Sequence, residues 1–382
     1  MNTIPPVDLT RQHKIISQEV EDRVLEVLRS GRYIGGAAVT NFENQFASYI
    51  KTKHGVGCNS GTDALYMALQ ALEIGAGDEV ITTPFSFIAT SEVIVRVGAK
   101  PVFVDIDPDT FNFDIEQVKN AITKKTKAII AVHLFGQPVD MTRLMAIAKQ
   151  HDLYVIEDCA QATGASWDNQ PVGSIGDAGC FSFFPTKNLG GCGDGGALTT
   201  NNNAIADKIR LLREHGLVRE ASNITYRHEV TGLNSRLDSM QATILSIKLK
   251  YLDAWNKQRA IAAHNYQQLL QSIPKIKLPS ALPEGNSVWN QYTIRIPNQS
   301  QSGYTTRDMV RNKLREKGVI AMVYYPFPLH LQPVYKSLNY QLNSLPKVEQ
   351  IAQEVLSLPM FPGITSQEQQ QIVYALKDSL DC

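Results

Sequence analysis

The chain has 382 residues, 43% of them hydrophobic and 19% charged, which is ordinary for a globular protein and enough for two domains. Lys+Arg and Asp+Glu both number 37, so no basic excess points to nucleic acid or an anionic membrane as partner. No apolar run approaches the roughly 20 residues of a membrane span, Met1 to Asp8 lacks a signal-peptide pattern, and five scattered cysteines (58, 159, 180, 192 and 382) without a C-x-x-C pair argue for a reducing cytoplasm and against disulfides or a zinc site.

In chain order, His54-Gly55-Val56-Gly57-Cys58 precedes Asn59-Ser60-Gly61-Thr62-Asp63-Ala64, which opens a helical pattern from Asp63 to Leu72. Glycine and small hydroxyl residues at a helix start make a phosphate site from free backbone N–H groups, the helix dipole and a hydroxyl. The same residues also serve as an ordinary N-cap, and no Gly-Lys-Ser/Thr follows to make a P-loop. Val80 to Thr83 reads as a strand, and Pro84-Phe85-Ser86-Phe87-Ile88-Ala89-Thr90 comes just after it. Phe87 could stack on a flat ring. Core packing is the simpler alternative, and spacing does not choose between Phe85 and Phe87. Pro101 to Asp105, Ala128 to Val132 and Tyr154 to Glu157 read as further strands, with a helix from Met141 to His151. Apolar strands alternating with amphipathic helices from about residue 55 to 200 predict an α/β fold with a mostly parallel sheet covered on both faces.

Asp158 ends the run Leu153-Tyr154-Val155-Ile156-Glu157-Asp158. Lys187 follows a second run, Cys180-Phe181-Ser182-Phe183-Phe184, 29 residues after Asp158, in a turn with glycines at 190, 191, 193, 195 and 196. In parallel sheets, ligands collect beyond the carboxyl ends of the strands, where both residues fall. A lone lysine in a loop is ordinarily a surface charge, and a lone strand-end Asp often caps a helix. Together they suit pyridoxal 5′-phosphate (PLP) chemistry: a lysine amine for the cofactor aldehyde, and a carboxylate to keep the pyridine nitrogen protonated. Gln161, one turn after Asp158, could donate to the ring hydroxyl, or be an exposed helical glutamine. Ser182 could give the phosphate a second hydroxyl.

From Ser235 to about Ser272 the pattern is one helix, with Leu237, Met240, Ile244, Ile247 and Tyr251 as its apolar stripe, stopped by Pro274. Gln291 to Ile296 reads as a strand, Thr306 to Lys317 as a helix ended by Gly318, and Thr365 with Glu368 as the capping box of a last helix. The domain boundary is placed inside the long helix, giving a large domain over 1–253, including the N-terminal segment, and a small one over 254–382.

These pieces, in this order, resemble the DegT/StrS family of PLP-dependent nucleotide-sugar aminotransferases. Besides the segments above, the resemblance includes His133-Leu134-Phe135-Gly136-Gln137-Pro138 and Gly232-Leu233-Asn234-Ser235-Arg236-Leu237-Asp238. It implies the PLP-transferase fold of type I, with a large domain built on a mostly parallel seven-stranded sheet and a smaller C-terminal α+β domain. It implies that Lys187 carries the Schiff base, Asp158 pairs with the pyridine nitrogen and Gln161 with the ring oxygen. Gly61, Thr62 and Ser182 would hold the phosphate, Phe87 would stack, and Asn234 would reach the phosphate of the neighbouring subunit's cofactor in a two-fold homodimer with shared sites. Tyr324 to Pro333 looks like the family's substrate region, making Tyr324, His330 and Arg236 candidates for contacts to the sugar or its diphosphate. The reaction so implied moves an amino group from glutamate or glutamine to a nucleotide-linked keto sugar, at C-3 of a dTDP- or UDP-linked keto-hexose. The product would be an amino sugar for polysaccharide, lipopolysaccharide or secondary-metabolite synthesis. C-4 amination, a sugar dehydratase and a cyclitol aminotransferase are the alternatives. Members acting as dehydratases lack the lysine that is present here. A non-enzymatic regulatory role finds no support, since no helix-turn-helix with a basic face is present. Loops near 30–36, 215–228 and 320–333 are expected to select the sugar.

Overall fold

A computed structural model describes residues 3–220, 223–298 and 305–380. Met1, Asn2 and Cys382, and residues 221 and 222 of the loop near 215–228, lie outside the described residues.

The first half opens with two helices, α1 (Leu9–Ser30) and α2 (Ala37–Ile50), and then alternates as the apolar periodicity predicts. In order come β1 (His54–Cys58), α3 (Gly61–Ala71), β2 (Glu79–Thr82), α4 (Ala89–Arg96), β3 (Lys100–Phe103), α5 (Ile115–Ala121), β4 (Thr126–Val132), α6 (Met141–His151) and β5 (Tyr154–Asp158). Two short strands, β6 (Ser166–Trp167) and β7 (Gln170–Pro171), precede β8 (Ala178–Ser182), β9 (Gly196–Thr200) and α7 (Asn203–Leu212). The seven long strands form one sheet in the order β1-β9-β8-β5-β4-β2-β3. Only β9 runs against its neighbours. Alternate side chains of β4 enter different cores. Ala128, Ile130 and Val132 pack with Leu65, Met67 and Ile94, whereas Ile129 and Ala131 pack with Met141, Leu144 and Ala148. Helices therefore cover both faces, as expected for strands apolar on both sides.

A hairpin of β10 (Leu217–Glu220) and β11 (Asn223–His228) leads to α8 (Ser239–Leu249) and α9 (Leu252–Leu270). The sequence suggested one helix here. The ladder is interrupted where Lys250 and Tyr251 donate three residues back, to Ile247 O and Lys248 O at 3.1 and 3.0 Å. No proline causes this break. Tyr251 stacks on Trp255 with ring centres 5.8 Å apart, and Ile244, Ile247 and Trp255 share a cluster with Ile16 and Val20 of α1. Packing against α1 sets the break, which periodicity does not report.

Beyond α9 lie β12 (Gly285–Asn286), β13 (Tyr292–Arg295), α10 (Thr306–Glu316), α11 (Pro346–Glu354), β14 (Val355–Leu358) and α12 (Ser366–Leu380). β13 and β14 pair antiparallel, and Tyr266, Ile294, Leu314, Leu356 and Leu376 share a separate core. α12 has the predicted capping box: Thr365 Oγ1 accepts from Glu368 N at 3.1 Å, and Glu368 Oε2 accepts from Thr365 N at 2.8 Å. The division at 253/254 falls in the first turn of α9, but two segments cross it. Ile4 joins the second core and bridges Val319, while Leu329, Tyr335, Val348 and Ile351 pack into the core of the large sheet.

Candidate active site

The site forms where parallel strands end together. β5 ends at Asp158, aligned with Val132 of β4 and Cys180 of β8. β1 runs into Ser60 and α3, and β2 runs into the turn before α4. Between these ends lies a cavity of about 630 Å³ whose lining includes Gly61, Thr62, Phe87, Asp158, Gln161, Ser182, Lys187 and Tyr324. Eight of the eleven residues singled out from the sequence are thus brought to one space.

Asp158 is buried, and burial pushes its carboxyl pKa up. Two donors oppose that: Thr90 Oγ1 gives a hydrogen bond to Oδ2 at 2.8 Å, and the Ala160 amide to Oδ1 at 3.2 Å. Because Thr90 spends its proton on Asp158, the 2.8 Å contact between the Ser86 and Thr90 hydroxyls runs from Ser86 to Thr90. A buried carboxylate held by two donors still favours a cation beside it. Lys187 is partly enclosed, and loss of hydration lowers its pKa to about 8, with the charge of Asp158 pulling the other way. An amine poised there is a nucleophile and a base near neutral pH.

The helix start is shaped by close approach. Ser60 caps α3, its Oγ accepting from Asp63 N at 3.1 Å, so Gly61 and Thr62 hold the first amides, which helix geometry leaves without an intrahelical acceptor. A Cβ on Gly61 would lie 2.7 Å from Ser182 Cβ, so only glycine lets the helix start meet the end of β8. Free amides, the helix dipole and two hydroxyls on one cavity wall fit a phosphate monoester.

Gln161 has a fixed orientation. The Phe135 amide donates to Oε1 at 2.7 Å, so Nε2 faces the Tyr325 hydroxyl at 3.3 Å and keeps a second N–H for the cavity. Burial raises the pKa of Tyr325, so its hydroxyl stays protonated and has a hydrogen to donate. Phe85 and Phe87 separate cleanly. Phe85 is fully buried against the rings of Phe111, Phe135 and Tyr325, whereas Phe87 is 57% exposed on the cavity.

Three predicted residues lie outside the cavity lining. Asn234 is exposed, and its Oδ1 accepts from Arg236 Nη2 at 2.7 Å. Arg236 keeps a buried Nε with no partner among the described residues. His330 is the third. It is buried, its Nε2 lies 3.1 Å from Glu349 Oε1, and Leu329 and Leu331 flank it, so it braces the packing rather than facing the cavity. Ser86, Thr90, Tyr325, Asn290 and Gln291 line the cavity and were not singled out. The serine and threonine spaced i, i+4 at a strand-to-helix turn were a readable signal; the other three depend on loop approach.

The DegT/DnrJ/EryC1/StrS aminotransferase family model matches residues 14–377. A protein of Geobacillus stearothermophilus named as a pleiotropic regulatory protein is 49% identical over 97% of this chain and 96% of its own length. The UDP-N-acetyl-3-dehydro-alpha-D-glucosamine 3-aminotransferase of Acidithiobacillus ferrooxidans is 43% identical over 99% of this chain and 98% of its own length. The crystal structure of S. venezuelae DesV in complex with a ketimine intermediate is 38% identical, covers 100% of both chains and superposes with a TM-score of 0.94. The chain therefore belongs to the DegT/DnrJ/EryC1/StrS aminotransferase family and is a pyridoxal phosphate-dependent aminotransferase.

Proposed function

We propose that this chain aminates C-3 of a UDP- or dTDP-linked keto sugar, taking the amino group from glutamate or glutamine, in a two-fold dimer. The observation that carries the reading is the sharing of one cavity by Lys187, Asp158 and the open start of α3. The name of the Acidithiobacillus ferrooxidans relative supports a nucleotide sugar and C-3.

Bound in this cavity, PLP supplies an aldehyde that condenses with amines and a ring that draws electrons from the adjoining carbon. The residues fit that group. Gly61, Thr62 and Ser182 suit its phosphate, Asp158 its ring nitrogen, Gln161 its ring oxygen, and Phe87 its face. Lys187 Nζ takes the proton from the donor's α-carbon and returns a proton at the sugar carbon that receives the amine. Its lowered pKa keeps an appreciable fraction unprotonated near neutrality. Asp158 stays ionised once a cation faces it, and Thr90 holds the carboxylate in place. Tyr324 and Arg236 remain proposed sugar or diphosphate contacts, and Asn234 a proposed contact across the dimer, since its exposed position suits a partner better than its own cavity. A cytoplasmic site of action belongs to the same proposal. Among the described residues, no helix is long and apolar enough to cross a membrane.

The test is a panel of UDP- and dTDP-linked 3-keto and 4-keto sugars with glutamate or glutamine as donor, assayed for amino-sugar product. Product from a 3-keto sugar in the wild type, with none from Lys187→Ala, is expected. Turnover by Lys187→Ala, or amination of 4-keto sugars alone, contradicts the proposal.

A further inference from the structure

Lys187 is flanked by residues that the structure ties down from outside their own loop. Asn188 is buried, and its Nδ2 donates to Asn256 Oδ1 at 2.7 Å and to Val288 O at 3.0 Å. Its Oδ1 accepts from Asn290 Nδ2 at 2.7 Å, and Asn290 Nδ2 also reaches Thr186 O at 3.5 Å. Asn256 in turn donates from Nδ2 to Thr163 O at 3.1 Å. The amide directions are determined. Val288 O and Thr163 O only accept, so the nitrogens of Asn188 and Asn256 face them and their oxygens face donors. One turn further along α9, buried Arg259 donates from Nη1 to Trp289 O, Asn290 O and Met360 O at 3.3, 3.2 and 3.1 Å. No room is left for slack: a Cβ on Gly164, where φ is +94°, would lie 2.5 Å from Asn256 Nδ2.

A loop that only joins β8 to β9 could leave its amides to water. Here the side chains of buried Asn188 and Asn290 and half-buried Asn256, linked to one another by hydrogen bonds, bracket a single cavity lysine on both sides. Asn290 itself lines the cavity, so the bracket joins the lysine segment to the opposite wall.

We propose that Asn188, Asn256 and Asn290, backed by Arg259, form an amide clamp that directs Lys187 into the cavity, which makes them positioning residues for its amine. The clamp rests on the reading of Lys187 as the reactive amine and not on the identity of any sugar. Without it the lysine swings toward water and regains the hydration whose loss makes its proton labile.

The test uses the cofactor-free full chain. Acetic anhydride acetylates unprotonated lysine, and peptide mass spectrometry reads the extent at Lys187 against pH. The wild type is expected to show a midpoint near about 8. Asn188→Ala is expected to raise that midpoint by about one unit, so that Lys187 reacts about tenfold more slowly at pH 7. Asn256→Ala and Asn290→Ala each remove one arm and are expected to move it less, in the same direction; they carry the test if Asn188→Ala does not fold. A wild-type midpoint near 8 that stays put in the folded variants, whatever their melting temperatures, overturns the clamp alone. A wild-type midpoint at the ordinary lysine value overturns the reactive-lysine reading beneath it.

Discussion

The sheet-side wall of the cavity and the wall contributed by residues 290, 291 and 323–325 are built on different terms. On the sheet side, Gly61, Asp158 and Ser182 sit at or just beyond strand ends, so backbone pairing that spans the large domain places them. On the other side, Asn290, Tyr324 and Tyr325 come from loops: Asn290 is held by hydrogen bonds with Asn188 and Arg259, Tyr325 by one with Gln161, and Tyr324 packs its ring against that of Tyr325. The difference separates tasks. The proposed function assigns chemistry common to many substrates to the sheet-side wall and discrimination among sugars to the wall that loop sequence can alter.

The largest expected effect lies on the rigid wall. Asp158→Asn keeps the shape and removes the charge, and kcat is expected to fall by about a thousandfold, within the range for losing one preorganised electrostatic contact. Steady-state kinetics with the verified sugar checks this; a loss confined to KM would place Asp158 on the substrate side of the comparison.

A smaller effect is expected in stability. Burial holds the Lys187 pKa at about 8, below the roughly 10.4 of an unfolded lysine. Between those values the unfolded chain binds a proton that the folded chain has released, so stability rises with pH there; below about 8 the cost of burying the charge is present in full. Lys187→Met is therefore expected to raise the melting temperature of the cofactor-free protein below pH 8, on the order of 5 °C. That gain should shrink as pH climbs toward 10. Calorimetry across pH 6.5 to 10 reads it, and a gain independent of pH would mean the lysine is not held in a desolvated place.

Smallest is the loop wall. Tyr325→Phe loses the contact to Gln161, a bond worth about 1 kcal/mol, so kcat/KM is expected to drop about fivefold with the fold intact. A drop as large as that of Asp158→Asn would erase the distinction between the walls.

The same division explains what could be read from the chain. Asp158 and Lys187 were legible because apolar runs mark strands, and in a parallel sheet the residue after such a run is on the ligand side. Gly61 was legible because a small-residue helix start has a local signature. The break between α8 and α9 was not, since Ile244, Ile247 and Trp255 keep an unbroken helical period while packing on α1 bends the chain. The burial of His330 was not legible either, because the aromatic and proline-rich stretch around it looks like an exposed loop. Its partner Glu349 lies 19 residues later, on α11, and pulls it inward. Tyr325 and Asn290 depend on approaches between segments far apart in sequence, which no local pattern encodes.

The account stands on Lys187 as the residue that holds the cofactor. Borohydride reduction of the PLP-loaded protein, followed by peptide mass mapping, tests this without knowledge of the sugar. A phosphopyridoxyl group on the peptide containing Lys187, and on no other lysine, is the predicted result. An adduct on a different lysine, or none at all in protein that has bound PLP, would contradict the account.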